Sequence, residues 1–176
     1  MKKTLLFTLL LLTTAAFGKT LKVENGVVKA HTEVFGDSTI DPETHVLVSH
    51  LTMANDVTSI KGSVDASILK LKSDNEDRDE HMVKALESLK YPVAHYEVKE
   101  ILKKSKGYTI NGIMEFHGVK RPLSFDSDII THGNKVEIMA KSAIRLSDYK
   151  VKPIKLLFLS VRDRVDLNIH LVLKTR

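Results

Sequence analysis

Apolar residues at every second position commit a chain to half-buried strands, because successive side chains of an extended backbone point to opposite faces. In Tyr108-Thr109-Ile110-Asn111-Gly112-Ile113-Met114-Glu115-Phe116, the residues Tyr108, Ile110, Met114 and Phe116 share one face, and Thr109, Asn111 and Glu115 share the other, which His117 extends. Leu123, Phe125 and Ile129 continue the apolar set, followed by Val136, Ile138, Ala140 and Ile144, and then by Val165, Leu167, Ile169, Leu171 and Leu173. Val64, Ala66 and Ile68 alternate upstream, as do Ala94, Tyr96 and Val98. One wet face and one dry face is the habit of antiparallel sheets. Turn signals punctuate the pattern at Asn25-Gly26, Gly36-Asp37, Asp41-Pro42, Lys106-Gly107, His117-Gly118 and Gly133-Asn134. Many short strands with such turns predict an all-β domain, a sandwich or a closed barrel.

Two stretches break the alternation. In Asn75–Pro92, Met82, Ala85, Leu86 and Leu89 recur at three- and four-residue steps, Asp77 and Glu80 form an N-terminal capping pattern, and Tyr91 precedes a proline. This predicts one short helix over residues 78–90 whose apolar stripe lies on the sheet. Leu156, Leu157, Phe158 and Leu159 are consecutive and cannot all face inward on one strand. They are expected to plug one end of the core, with Phe158 near a cavity mouth.

The chain opens with Lys2 and Lys3, an apolar run of about a dozen residues and Ala16-Phe17-Gly18. This reads as a signal peptide over residues 1–18, cleaved near Gly18/Lys19, with one domain over 19–176. The mature chain is expected in the periplasm or secreted. The apolar run is short for a hydrocarbon core of roughly 30 Å. Cleavage removes two lysines, so the formal charge falls from +5 to +3, too weak and scattered for a nucleic-acid surface. With no cysteine, an exported domain of this size is held by its core rather than by disulfides.

The acidic, histidine-bearing run invites a catalytic reading, in which His81 works with Asp77 or Asp79 as a metal-dependent centre. Acids at positions 76–80 equally suit the unsatisfied N–H groups of a helix N-terminus, and that is the preferred reading. The eight histidines show no metal-protease spacing, and His95, His117 and His170 are placed on the outer faces of their strands. No nucleophile elbow or phosphate loop is present. The dry face therefore carries the functional expectation: a barrel of about eight strands is either filled by side chains or encloses one small ligand.

Five motifs in order resemble the YceI-like family: Arg78-Asp79-Glu80-His81-Met82, Lys90-Tyr91-Pro92, Tyr108–Gly112 with Phe116–Leu123, Leu146-Ser147-Asp148-Tyr149, and Asp163-Arg164-Val165-Asp166-Leu167. They are similar to the family's R-D-x-x-L, K-Y-P, G-x-L-x-x-x-G-V-x-K-P-V, R-S-D-F and D-x-V-x-L segments, over about Lys61–Leu173. Glu87-Ser88-Leu89 stands where the family often has D-F-F, and Phe35–Ile60 is shorter than usual. The resemblance implies an antiparallel, lipocalin-like β-barrel with one short helix, exported, that holds isoprenoid or fatty chains.

The expectation is a non-enzymatic carrier of an apolar lipid, with no cofactor, no nucleic-acid partner, transient contact with membranes, and room for a homodimer. The lining expected from alternation is Tyr96, Val98, Tyr108, Ile110, Met114, Phe116, Phe125, Ile138, Leu167 and Ile169, with Phe158 at the mouth. A ligand-free interaction or stress-response module with a filled core is the alternative to the enzyme and the carrier.

Overall fold

The computed structural model describes residues 18–34, 38–152, 155–156 and 159–176. The expected signal peptide up to Phe17, the Gly36-Asp37 turn, Leu157 and Phe158 lie outside the described residues. Among the described residues, eight long strands alternate around one barrel: β1 Lys19–Val34, β2 Leu47–Met53, β3 Lys61–Ser67, β4 Val93–Lys103, β5 Tyr108–Phe116, β6 Val119–His132, β7 Lys135–Arg145 and β8 Arg164–Thr175. Each pairs antiparallel with its sequence neighbour, and β8 returns to pair with β1 over Leu21–His31. That closure pairs the first and last long strands, whose edges an open sheet would expose.

The β5–β6 hairpin shows how local sequence sets the ladder. His117 and Gly118 both adopt left-handed φ, 50° and 73°, the two-residue turn whose twist matches antiparallel strands, and Phe116 then pairs with Val119. His117 is therefore a turn residue and not, as the alternation suggests, an outward strand residue. Its ring is buried, with Nε2 2.8 Å from Glu87 Oε2 and Nδ1 3.1 Å from the Tyr149 carbonyl.

Asn25-Gly26 corrects the turn expectation more sharply, because it lies inside the 16-residue β1. Register shifts between Val23 and Asn25 along β8, a bulge that absorbs one residue without reversing the chain. A Cβ on Gly26 would stand 2.8 Å from the side chains of both Leu171 and Leu47. Glycine is needed there for close approach, not for a turn.

One end of the barrel is solid. Leu21, Leu51, Ile60, Val136 and Leu173 are all at most 2% exposed, and the single-turn helix Val57–Ser59 adds the buried Val57. The β3–β4 and β7–β8 connections at the opposite end are longer and carry helix α1, Glu76–Ala85, the turn Leu146–Tyr149, and the paired segments Lys155–Leu156 and Leu159–Ser160.

The helix differs from its expected span at both ends. Asn75, not Asp77, caps it, its side-chain oxygen accepting the Arg78 N–H at 2.9 Å. Asp79 is instead buried, accepting from both the N–H and the hydroxyl of Ser73 at 2.8 Å. The helix stops at Ala85, since Glu87 turns left-handed with φ 46°. Leu89 consequently leaves the stripe formed by Met82 and Leu86 and is 82% exposed.

Candidate functional site

The inward faces of the strands meet around a cavity whose water-accessible volume is about 210 Å³. Nine of the expected residues line it: Tyr96, Val98, Ile110, Met114, Phe116, Phe125, Ile138, Leu167 and Ile169. Tyr108 does not. It opens β5 at the solid end of the barrel, where its ring packs against the core outside the hollow. The alternation correctly put Tyr108 on the inner face, but it carries no signal for how far the hollow extends along the barrel.

The structure adds residues outside that expected set. Val28, Ala30 and Thr32 come from β1, Pro42 and Thr44 from the connection after it, Arg78, His81 and Met82 from α1, and Leu86 from its C-cap. Leu146 and Val161 bracket the remaining side. Among these, His81 is exposed and Arg78, Met82, Leu146 and Val161 are half-buried. They touch both solvent and the hollow, which places the mouth between α1 and the segments on either side of the Leu146–Tyr149 turn and of β8. The sequence signal for the helix contribution was the Met82/Leu86 stripe, and that for β1 was Val28, Ala30, Thr32 and Val34 alternating with Lys29, His31 and Glu33 after the bulge.

The wall is chemically quiet. Tyr96 holds its hydroxyl 3.0 Å from the Ile110 carbonyl and 2.9 Å from that of Leu123, and its ring meets Phe125 edge-on at 5.1 Å. Burial pushes the Tyr96 phenol well above its ordinary range, so it stays neutral and serves as a hydrogen-bonded wall element. Gly112 lets that ring lie flat, because a Cβ there would stand 2.5 Å from Tyr96 Cζ and 2.4 Å from the Glu97 carbonyl oxygen.

The residues of the metal-enzyme alternative do not converge. The Asp79 carboxylate is occupied by Ser73, with Lys72 Nζ at 3.5 Å. The His81 ring turns its Nδ1 to the Asp77 backbone carbonyl at 2.7 Å, and Asp77 is exposed. Among the described residues, no three His, Cys, Asp or Glu side chains gather as a metal-binding group. Of the other strand histidines, His95 pairs with Asp65 at 2.6 Å and His170 with Glu137 at 2.7 Å, both on outer faces and on opposite sides of the closed sheet. They form no common patch with the buried His117.

Comparison with known proteins agrees with this geometry. The family model described as YceI-like domain matches residues 14–173, extending the five-motif resemblance back through β1 and β2. No curated protein is matched by the sequence. Among solved structures, BcnA from Burkholderia cenocepacia superposes with a TM-score of 0.72 at 13% identity, covering 84% of this chain and 95% of that one. A polyisoprenoid binding domain from Saccharophagus degradans, implicated in plant cell wall breakdown, gives 0.70 at 11% identity, covering 91% and 99%. The YCEI protein of Campylobacter jejuni gives 0.55 at 22% identity, covering 66% and 72%. At these identities the likeness is one of fold.

Proposed function

The chain belongs to the YceI-like domain family, and we propose that it is a non-enzymatic carrier, periplasmic or secreted, that holds one isoprenoid or long-chain lipid inside the barrel. The carrying observation is a closed barrel that is solid at one end and hollow at the other, with an interior built almost wholly of hydrocarbon. Such a hollow favours a carrier over a filled-core module. Export is supported by the position of the expected cleavage, immediately before β1 begins at Lys19, and an isoprenoid guest by the Saccharophagus degradans neighbour's description.

The volume bounds the guest. An apolar cavity of roughly 150 Å³ holds one six-carbon benzene ring, so the hollow takes about eight carbons. A chain segment of about eight carbons therefore fits the hollow as it stands. Burying about eight methylenes at ~0.8 kcal/mol each contributes about 6 kcal/mol, against an association cost of about 4 kcal/mol or more. Binding then needs no strong polar anchor, and chain length governs affinity more than headgroup does.

Native mass spectrometry of protein purified without detergent, followed by organic extraction, should reveal a bound apolar molecule. Prenyl or acyl probes should raise the melting temperature. Preparations that are always empty, together with no probe shifting the melt, would sink the carrier reading.

A further inference from the structure

Four arginines border the mouth on the outside of the barrel. Among the described residues, Arg121 of β6, Arg145 of β7, Arg164 of β8 and Arg162 just before it line one open groove, floored by Pro122, Leu123, Ala143, Ile144 and Tyr149, with Asp148 as its one acid. Ile144 also lines the inner hollow, so a single residue separates groove from cavity. Arg145 precedes the rim residue Leu146, and Arg162 follows the rim residue Val161.

The arrangement is costly unless something anionic is nearby. Arg145 and Arg164 are direct partners across the β7–β8 ladder, where like charges destabilise a sheet. Their local counter-ions are solvent-exposed: Arg162 pairs with Glu33 at 2.7 Å, Arg164 holds Asp166 through two nitrogens at 2.7 and 2.9 Å, Arg121 lies 3.7 Å from the Asp148 carboxylate and donates to its carbonyl at 2.7 Å, and Arg145 acts on Asp163, the three paired acids being at least 42% exposed. Exposed pairs of this kind are worth little and exchange readily. Residues 145–164 hold six Lys or Arg against two Asp, +4, and Glu33 and Asp166, paired with Arg162 and Arg164, reduce the local net charge to +2 in a chain totalling +5. The basic character is thus concentrated on the segment that flanks the mouth.

We propose that this groove docks the barrel on an anionic phospholipid surface. Guanidinium forks match phosphate oxygens, the apolar floor suits the glycerol and upper acyl region, and the groove is open rather than enclosed, as a planar partner requires. Docking there would bring the mouth to the membrane. The inference stands apart from the guest, because vesicle binding is read without any ligand in the barrel.

The test is flotation of the full chain with vesicles of phosphatidylcholine alone and of phosphatidylcholine doped with phosphatidylglycerol, at low and high salt. Binding is expected only to the anionic vesicles and is expected to fall with salt. Each arginine near such a surface contributes about fivefold in partitioning, so Arg145→Gln with Arg162→Gln should weaken binding by about 25-fold. Lys103→Gln with Lys106→Gln, at the solid end, should leave it unchanged. The docking surface is overturned if neutral vesicles bind equally, if the solid-end variant loses as much, or if soluble glycerol phosphate displaces the protein and so reveals a free-phosphate site. Should the arginine variant fail to fold, the wild-type chain alone decides, because salt-insensitive or headgroup-insensitive binding refutes the proposal.

Discussion

Filling the hollow separates a lipid guest in the barrel from every reading that leaves the barrel empty. Ala66 on β3 faces the cavity yet is only half-buried, since the space beside it is open. Ala66→Phe adds six ring carbons, most of the roughly eight carbon positions in the hollow. A chain that filled the cavity must withdraw about six methylenes, losing about 5 kcal/mol at ~0.8 kcal/mol each. Isothermal titration or displacement of a fluorescent acyl probe would read this as a loss of affinity of three orders of magnitude or more, with shorter chains affected less. Folding stability, followed by urea denaturation, should hold or rise, because the ring occupies existing space. The reasoning is refuted if the variant binds long chains unchanged. It is equally refuted if it loses the ~1–3 kcal/mol of an overpacked core while shorter and longer chains suffer alike.

Other perturbations test the frame. Asp79→Ala removes the acceptor of two charge-assisted bonds from Ser73 and should lower urea-unfolding stability by about 3 kcal/mol. Arg78→Ala, whose partner Asp74 is exposed, should cost less than about 1 kcal/mol; equal losses would contradict the distinction between anchor and surface pair. Gly112→Ala drives a methyl into Tyr96 and the Glu97 carbonyl and should destabilise by about 1–3 kcal/mol, with Tyr96 fluorescence or ring NMR shifts reporting the displaced phenol. The hydrogen bond from His31 to Asp41 raises the His31 pKa above its ordinary value. Its contribution to stability is therefore present below about pH 6.5 and lost as pH rises through the raised value. An NMR titration placing His31 at or below 6.5 would refute this pairing.

The inner face was legible because a strand's period is two and does not depend on what the strand touches. That is why Tyr96, Val98, Ile110, Met114, Phe116, Phe125, Ile138, Leu167 and Ile169 could all be placed on the wall in advance. Features that depend on distant partners were not. Tyr108 has the same alternation as Ile110, and only the packing of Leu21, Leu51, Val136 and Leu173 from other strands makes its end of the barrel solid. Leu89 has the spacing of the helical stripe, but the left-handed Glu87 ends the helix before it. Asn25-Gly26 has turn composition, yet Leu171 and Leu47 close over it from β8 and β2. The arginine groove is the extreme case. Arg121 is 24 positions from Arg145 and 41 from Arg162 in the sequence, and the barrel's closure joins them at one rim. The overall charge balance concealed this, because acids elsewhere cancel the bases of the chain as a whole, whereas a surface is read by the charges that share it. A small net charge therefore argues against long-range steering of the whole molecule, but not against a local phosphate-facing patch beside the mouth.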